Sequence, residues 1–291
     1  MKNPVPRAAA IHDLSGFGRT SLSVVIPILS SMGVQPCSLP TAVLSTHTGG
    51  FQNYHFVDLT DHMQAIVDHW KAIGVHFDAI YSGFLGSPRQ IDIVEKFIHD
   101  FANDDQLILI DPVLGDNGQP YSTMGEEMIS KMRGLIRHAD VITPNFTEAA
   151  FLLDEPYDPS ISLGELKTWT KRLAAQGPAK VIITSIPVPE GKNVSSVLAY
   201  NRPDNRMWKV DCSYIPAHYP GTGDIFASVV VGSLLQGDSL PIALDRAVQF
   251  VSIAIRSTFG YDFPAREGVL LERVLPSLNA PVMASSYQIL E

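Results

Sequence analysis

The sequence predicts a doubly wound α/β fold: a mostly parallel sheet with helices on both faces and an antiparallel hairpin at one edge. Short runs of Val, Ile, Leu and Ala alternate with longer amphipathic segments over most of the 291 residues. The short runs show little apolar–polar alternation, which suits strands buried on both faces. The repeated β-α-β rhythm is that of parallel strands joined by crossover helices.

In chain order, Ala8–Ile11 is the first candidate strand, and the apolar periodicity of Ser21–Met32 makes it the first helix. Pro36–Leu44 reads as the second strand and Thr60–Ile73 as the next amphipathic helix. The same alternation gives strand Ala79–Ser82, helix Pro88–Ala102, strand Leu107–Ile110 and helix Met124–Ile136. Strand Val141–Thr143, helices Thr147–Leu153 and Leu163–Ala175, and strand Val181–Thr184 complete the repeating part. Near residue 187 the pattern changes. Ser196–Tyr200 and Met207–Val210, separated by a polar Asn-Arg-Pro-Asp-Asn-Arg turn, read as an antiparallel hairpin. An apolar helix to about Leu235 and a long helix from Pro241 to about Phe259 follow. No Pro/Gly/Ser-rich linker or internal repeat interrupts the chain, so residues 1–291 are expected to form a single domain, with a loosely organised tail after about 277.

Composition excludes several functions. A net charge of −9 with no Lys/Arg cluster argues against a protein that tracks a nucleic-acid backbone. No run approaches the ~18 apolar residues of a membrane span. The first residues lack the apolar core of a signal peptide. The two cysteines, Cys37 and Cys212, have no metal-ligand spacing. Reduced thiols in a cytoplasmic protein are the expectation. His55, His62, His69 and His76 recur every seven residues, but no HExxH or Cys/His pair accompanies them, so a solvated helix face accounts for them. The three tryptophans read as packing residues.

Ligands of open parallel sheets bind beyond the carboxyl ends of the strands. The residues there are His12–Thr20 (HDLSGFGRT), Ser45–Gly50 (STHTGG), Ser82–Gly86 (SGFLG), Asp111–Asp116 (DPVLGD), Thr143–Glu148 (TPNFTE) and Thr184-Ser185. Glycine recurs there with Asp, Asn, Ser and Thr, which points to a ligand crevice. The Walker loop is absent, because no Gly-Lys-Ser or Gly-Lys-Thr occurs. A dinucleotide fingerprint fails as well: Gly16-Phe-Gly18 has Ser21 where a third glycine belongs, and Gly221-Thr-Gly223 has Phe226.

Gly221-Thr-Gly-Asp224 makes better sense as an anion cradle. Its glycines let backbone N–H groups approach a ligand, and the N-terminus of the apolar helix behind them offers unpaired donors and partial positive charge. Asp224 in the first turn is either a base for an attacking alcohol or an acid that merely stabilises its helix; the element alone does not decide. Asp111, Asp116 and Glu148 are the hard oxygen ligands that Mg²⁺ prefers, reached directly or through water. Glu148 also fits a capping box with Asn145, and the two roles are compatible.

Together these residues resemble the pyridoxal kinases of the ribokinase-like superfamily. Gly221-Thr-Gly-Asp224 matches that superfamily's GxGD signature. Asp111–Asp116, Ser82–Ser87, Ile142–Glu148 and Ser45–Phe51 resemble its vitamin B6 branch, and the likeness runs to about Ser277. The resemblance implies ATP-dependent phosphorylation of the 5′-hydroxymethyl group of pyridoxal, pyridoxine or pyridoxamine, with Mg²⁺ and commonly as a homodimer; a monovalent cation is left open. Asp224 would be the catalytic base, and Gly221, Thr222 and Gly223 the anion hole. Asp111, Asp116 and Glu148 would surround the metal and phosphates, with Asn145, Thr184, Ser185 and Thr222 also on the nucleotide. Asp13, His47, Thr48 and Phe84 would lie around the vitamin ring. Many relatives have Ser in place of Asp13 and Tyr in place of Phe84, and a carboxylate there is expected to favour the amine vitamer. A hydroxymethylpyrimidine kinase shares the fold and the base, although DLSGFGRTS matches its ring-binding segment poorly. A non-catalytic B6 or nucleotide carrier would not need Asp224 and three further acids.

Overall fold

The structure, a computed structural model, describes residues 4–188, 193–280 and 286–290. Its elements in chain order are β1 (Arg7–Ser15), α1 (Leu22–Ser31), β2 (Gln35–Leu44), β3 (Phe56–Asp58), α2 (Thr60–Ala72), β4 (Ala79–Ser82), α3 (Pro88–Phe101) and β5 (Leu107–Ile110). There follow β6 (Gly115–Asp116), β7 (Gln119–Pro120), α4 (Glu126–Leu135), β8 (Val141–Ile142), α5 (Phe146–Leu153), α6 (Leu163–Ala175) and β9 (Lys180–Ile186). The chain ends with β10 (Val194–Asn201), β11 (Arg206–Ser213), α7 (Thr222–Leu235), α8 (Leu240–Phe259) and β12 (Tyr287–Leu290).

Ten strands form one sheet in the order β12-β11-β10-β9-β8-β5-β4-β1-β2-β3. The pairs from β9 through β2 are parallel. At the two ends β3, β10, β11 and β12 run antiparallel to their neighbours. The predicted fold class is therefore what the chain adopts. Burial on both faces explains the strand composition. In β1, Ala8 and Ala10 face a core shared with α1, α7 and α8, while Ala9 and Ile11 face a second core shared with α2 to α6. The hairpin of β10 and β11 lies where it was expected, with β12 added outside it.

That addition corrects one expectation. The segment after about 277 is not loosely organised throughout: a short 3-10 turn spans Leu275–Asn279, and β12 pairs with β11 from Met207↔Leu290 to Val210↔Tyr287. The buried Asp245 carboxylate accepts from the Ser286 N–H at 3.0 Å and so anchors the start of that strand. An unpaired β11 edge would leave its backbone groups exposed, and β12 satisfies them. Residues 281–285 and 291 lie outside the described residues. The short strands β3, β6 and β7 were also not anticipated.

Consecutive strands step outward from β1 in both directions, to β2 on one side and to β4, β5, β8 and β9 on the other. The switch point of this sheet lies between β1 and β4, where a crevice opens beyond the strand ends. Over that point stands α7, buried from Ile225 to Ser233 against α1, α8 and the sheet. Its uniform apolarity is the consequence of burial all round. Among the described residues, no helix is long and apolar enough to cross a membrane. His55, His62, His69 and His76 are exposed, and Trp70, Trp169 and Trp208 pack in the interior as expected.

Candidate active site

A cavity of about 800 Å³ opens at the carboxyl ends of the strands. Asp111, Asp116, Asn145, Glu148, Thr184, Ser185, Gly221, Thr222, Gly223 and Asp224 all line it. The residues expected around nucleotide and metal thus converge on one site from four separate segments of the chain. Asp13, His47, Thr48 and Phe84 are not among its lining residues.

Local chemistry explains how each side chain is placed. Gly221 is the N-cap of α7 with φ 82°, in the left-handed region. A Cβ there would stand 2.1 Å from the Arg19 carbonyl oxygen, so only glycine fits this approach of two loops. No side chain caps the helix, and a Cβ on Gly223 would meet open space. The first turn of α7 therefore presents its N–H groups to the cavity, as an anion site requires. Thr222 Oγ1 donates to the Tyr219 carbonyl at 3.1 Å, which steadies the entry to the helix.

Asp224 Oδ2 accepts the Ser21 N–H at 2.8 Å, and its Oδ1 is 4.0 Å from His12 Nδ1. Burial pushes the Asp224 carboxyl up to about 7; the Ser21 N–H opposes the shift, and Asp111 and Asp13 add to it. The carboxyl is thus held near its midpoint at neutral pH. That position suits a group which must first accept a proton and then lose it.

On the opposite wall, Asp111 is buried and Thr143 Oγ1 donates to its Oδ1 at 2.8 Å; burial raises it to about 7. Glu148 completes a capping box: the Asn145 side chain accepts the Glu148 N–H, and Glu148 Oε2 accepts the Asn145 N–H at 2.7 Å. Its Oε1 accepts the Leu114 N–H at 3.1 Å. Burial and then the Asp111 charge drive its pKa well up. Asp116 stands at the tip of the β6–β7 hairpin and accepts from the Asn117 backbone and side chain at 2.8 and 3.2 Å. Thr184 and Ser185 lie at a bulge in the β9–β10 pairing, with Ser185 at φ 53°. Such bulges turn side chains toward a site.

A divalent cation fits this acid wall in one way only. Among the described residues no group of three acidic, His or Cys side chains is close enough to hold an ion together. Asp111 and Glu148 are nonetheless two buried carboxylates, the charge of Asp111 raises the proton affinity of Glu148, and a cation would relieve that repulsion. Mg²⁺ bound by one or two carboxylates, waters and phosphate oxygens suits such a wall, whereas an all-protein cage does not.

Of the expected ring-binding residues, Asp13 is linked to Asp224 through Ser21, which bonds both. Asp13 is buried and accepts from Ser21 Oγ at 2.5 Å and Ser15 Oγ at 3.2 Å. His47 accepts the Gly49 N–H at Nδ1, which leaves Nε2 to donate to the Arg266 carbonyl at 2.6 Å. Its ring meets Phe51 edge-on at 5.0 Å. Thr48 is exposed, and Phe84 is half-buried against the core under α2 and α3.

His12 and Ser21 were not singled out from the sequence. His12 is fully buried, neither of its ring nitrogens has a hydrogen-bond partner, and burial lowers its pKa to about 3. Its place is made by Gly83, where a Cβ would come within 2.2 Å of the ring. Only its position at a strand end, beside an Asp, hinted at a role.

The chain is similar to known proteins over most of its length. The phosphomethylpyrimidine kinase family matches residues 26–266. A Bacteroides thetaiotaomicron VPI-5482 protein assigned as a phosphomethylpyrimidine kinase is 58% identical, with a TM-score of 0.95 over 98% of this chain and 100% of its own; that crystal form contains pyridoxal. The pyridoxal kinase of Lactobacillus plantarum is 32% identical, with a TM-score of 0.87 over 96% of this chain and 98% of its own. The hydroxymethylpyrimidine/phosphomethylpyrimidine kinase of Bacillus subtilis (strain 168) is 26% identical over 87% of this chain and 90% of its own length. The chain spans only 47% of the Arabidopsis thaliana thiamine biosynthetic bifunctional enzyme and 32% of the Corynebacterium glutamicum thiamine biosynthesis multifunctional protein. The fold, the cavity and these likenesses agree: the chain belongs to the phosphomethylpyrimidine kinase family, as a pyridoxal-kinase-type member of the ribokinase-like superfamily.

Proposed function

We propose that this kinase transfers the γ-phosphoryl group of ATP to the 5′-hydroxymethyl group of a B6 vitamer. The observation that carries the reading is Asp224, a carboxylate only 14% exposed and near its midpoint at neutral pH, set in the first turn of a helix whose N-terminus faces a cavity. Phosphoryl transfer asks the protein mainly for positioning and charge stabilisation, with one group taking the alcohol's proton. Asp224 Oδ1 accepts that proton as the hydroxyl oxygen attacks the γ-phosphorus and the bond to the β-phosphate oxygen breaks. The N–H groups of Gly221–Gly223 hold the transferring phosphoryl oxygens. Mg²⁺, held by Asp111 and Glu148 with Asp116 through water, would neutralise phosphate charge. Asn145, Thr184, Ser185 and Thr222 orient the triphosphate, and the apolar wall of Val197, Phe226, Val248 and Val251 suits a flat base.

A vitamer as acceptor is supported by the 58% identical neighbour crystallised with pyridoxal. The second reading, phosphorylation of a hydroxymethylpyrimidine, is favoured by the family description and by the Bacillus subtilis relative. Both use the same base on a primary alcohol and differ in the ring bound. ADP release from Asp224→Asn tests the shared chemistry: kcat falls about 10²–10⁴-fold while pyridoxal still binds. A variant as fast as the wild type would remove Asp224 from its role.

A further inference from the structure

We infer that Ser21 is a positioning residue for the Asp224 carboxylate, and that Asp13 acts through it. Ser21, locked by Asp13 into a left-handed backbone conformation, aims its N–H at Asp224 Oδ2 and leaves Oδ1 free for the substrate's proton. The inference rests on the reading of Asp224 as proton acceptor.

Three observations meet at Ser21. First, its backbone stands at φ 50°, ψ −135°, a region that residues with a Cβ rarely enter. Strain of this kind persists only where the surroundings impose it, and it gathers at functional sites. Second, the hydroxyl does not do the usual work of a helix N-cap: it makes no bond to the first turn of α1 and donates instead to Asp13 Oδ1 at 2.5 Å. Both residues are buried, and Ser15 Oγ holds the other Asp13 oxygen. Third, the Ser21 carbonyl accepts from the Val24 and Val25 N–H groups at 3.0 Å each, which ties the residue to the start of α1. Hydroxyl, carbonyl and N–H are thus engaged in three directions, and the N–H points at Asp224 at 2.8 Å. A relaxed backbone would turn it away.

The rest of the shell leaves Oδ1 available. His12 approaches Oδ1 only to 4.0 Å and is held by the Tyr81 edge at 4.4 Å. Tyr81 and Ser228 hydroxyls donate to the Asp224 backbone carbonyl, at 3.4 and 2.6 Å, and not to its side chain. The groups that set the charge around Asp224 are His12 and Asp13 on β1, Tyr81 on β4, Asp111 beyond β5, and Tyr121 beyond β7. Asp13 therefore acts twice: its bond to Ser21 aims the N–H that favours ionised Asp224, and its charge opposes that ionisation.

These opposed effects separate the inference from a plain structural role. Steady-state kinetics with ATP and pyridoxal, against pH, on the wild type, Ser21→Ala, Ser21→Gly and Asp13→Asn, tests it. Ser21→Ala loses the hydroxyl anchor and keeps a Cβ that disfavours the conformation, so kcat falls about 10–100-fold. KM for pyridoxal stays within about twofold, as for an interaction made at the reacting centre. The acid limb of kcat/KM moves to higher pH. Ser21→Gly, at home at positive φ, recovers part of that kcat. Asp13→Asn keeps an acceptor for Ser21 but carries no charge, so the limb moves to lower pH. Thermal melts at pH 7 verify folding of each variant. A Ser21→Ala enzyme with wild-type kcat, or limbs that move together in both variants, would overturn the inference. If Ser21→Ala does not fold, an unmoved or raised limb in Asp13→Asn overturns it alone. An active Asp224→Asn control overturns the base assignment instead, and so the two failures are distinct.

Discussion

Replacing Asp224 by Asn should raise stability at the same time as it removes activity. Burial lifts the Asp224 carboxyl from 3.8 to about 7, and each tenfold gain in proton affinity is about 1.36 kcal/mol. A carboxyl whose folded pKa is raised contributes stability that is fully present below its unfolded pKa and is lost as pH rises through the folded value. At pH 8 the native chain therefore holds an ionised, largely enclosed Asp224 at a cost of about 4 kcal/mol. Asn is nearly isosteric, carries no charge and still accepts the Ser21 N–H. If about half of the cost is recovered, the variant gains about 2 kcal/mol, or roughly 4 °C in Tm for a chain of this length. At pH 5 native Asp224 is largely protonated, and the gain shrinks by more than half. Asp111 titrates in the same range but is present in both proteins. The assay is a pair of thermal melts at pH 8 and pH 5 for each protein, with ADP release measured in parallel. A variant less stable than the wild type at pH 8, or a difference independent of pH, would refute the burial argument. The opposed signs are what a function held against stability produces.

Two further predictions concern the walls of the cavity. Gly221→Ala combines positive φ with a Cβ 2.1 Å from the Arg19 carbonyl oxygen, and should lose more than about 1 kcal/mol together with most of kcat. Gly223→Ala meets open space and should leave Tm unchanged or slightly higher; equal effects at the two glycines in melts would contradict the cradle geometry. Glu148→Ala leaves the Leu114 and Asn145 N–H groups unpaired and should cost about 2–4 kcal/mol. Glu148→Gln, which keeps an acceptor and drops the repulsion with Asp111, should cost markedly less in urea denaturation; equal losses would show that the capping bonds do not set the stability.

Much of this was legible in the sequence, for identifiable reasons. Strands such as Leu107–Ile110 are buried on both faces, so burial writes them as apolar runs. Ile225 to Ser233 could be read as a buried helix because no face of it is polar. The acids after β5 and β8 were visible because ligand sites of such sheets lie at strand ends. The missed elements have no local signal. Tyr287–Leu290 is a four-residue strand whose place depends on the free edge of β11, and Phe56–Asp58 is exposed along its length. Ser21 was read as the start of a helix, which it is, but the turn of its backbone toward Asp224 arises from packing between distant loops. His12 escaped notice because the glycine that accommodates it, Gly83, lies on another strand end. Around the residues assigned to the ring by resemblance, the structure adds the hydrogen bonds of Asp13 to Ser21 and Ser15 and of His47 to Gly49 and Arg266, which no local pattern announces.

The central claim is that the alcohol phosphorylated here belongs to a B6 vitamer. The most direct measurement is kcat/KM for ATP-dependent ADP release with pyridoxal, pyridoxine, pyridoxamine and hydroxymethylpyrimidine, with the phosphorylated product identified in each case. At least one vitamer is expected to be converted to its 5′-phosphate with a kcat/KM well above that of the pyrimidine. A preference for hydroxymethylpyrimidine over all three vitamers would contradict it.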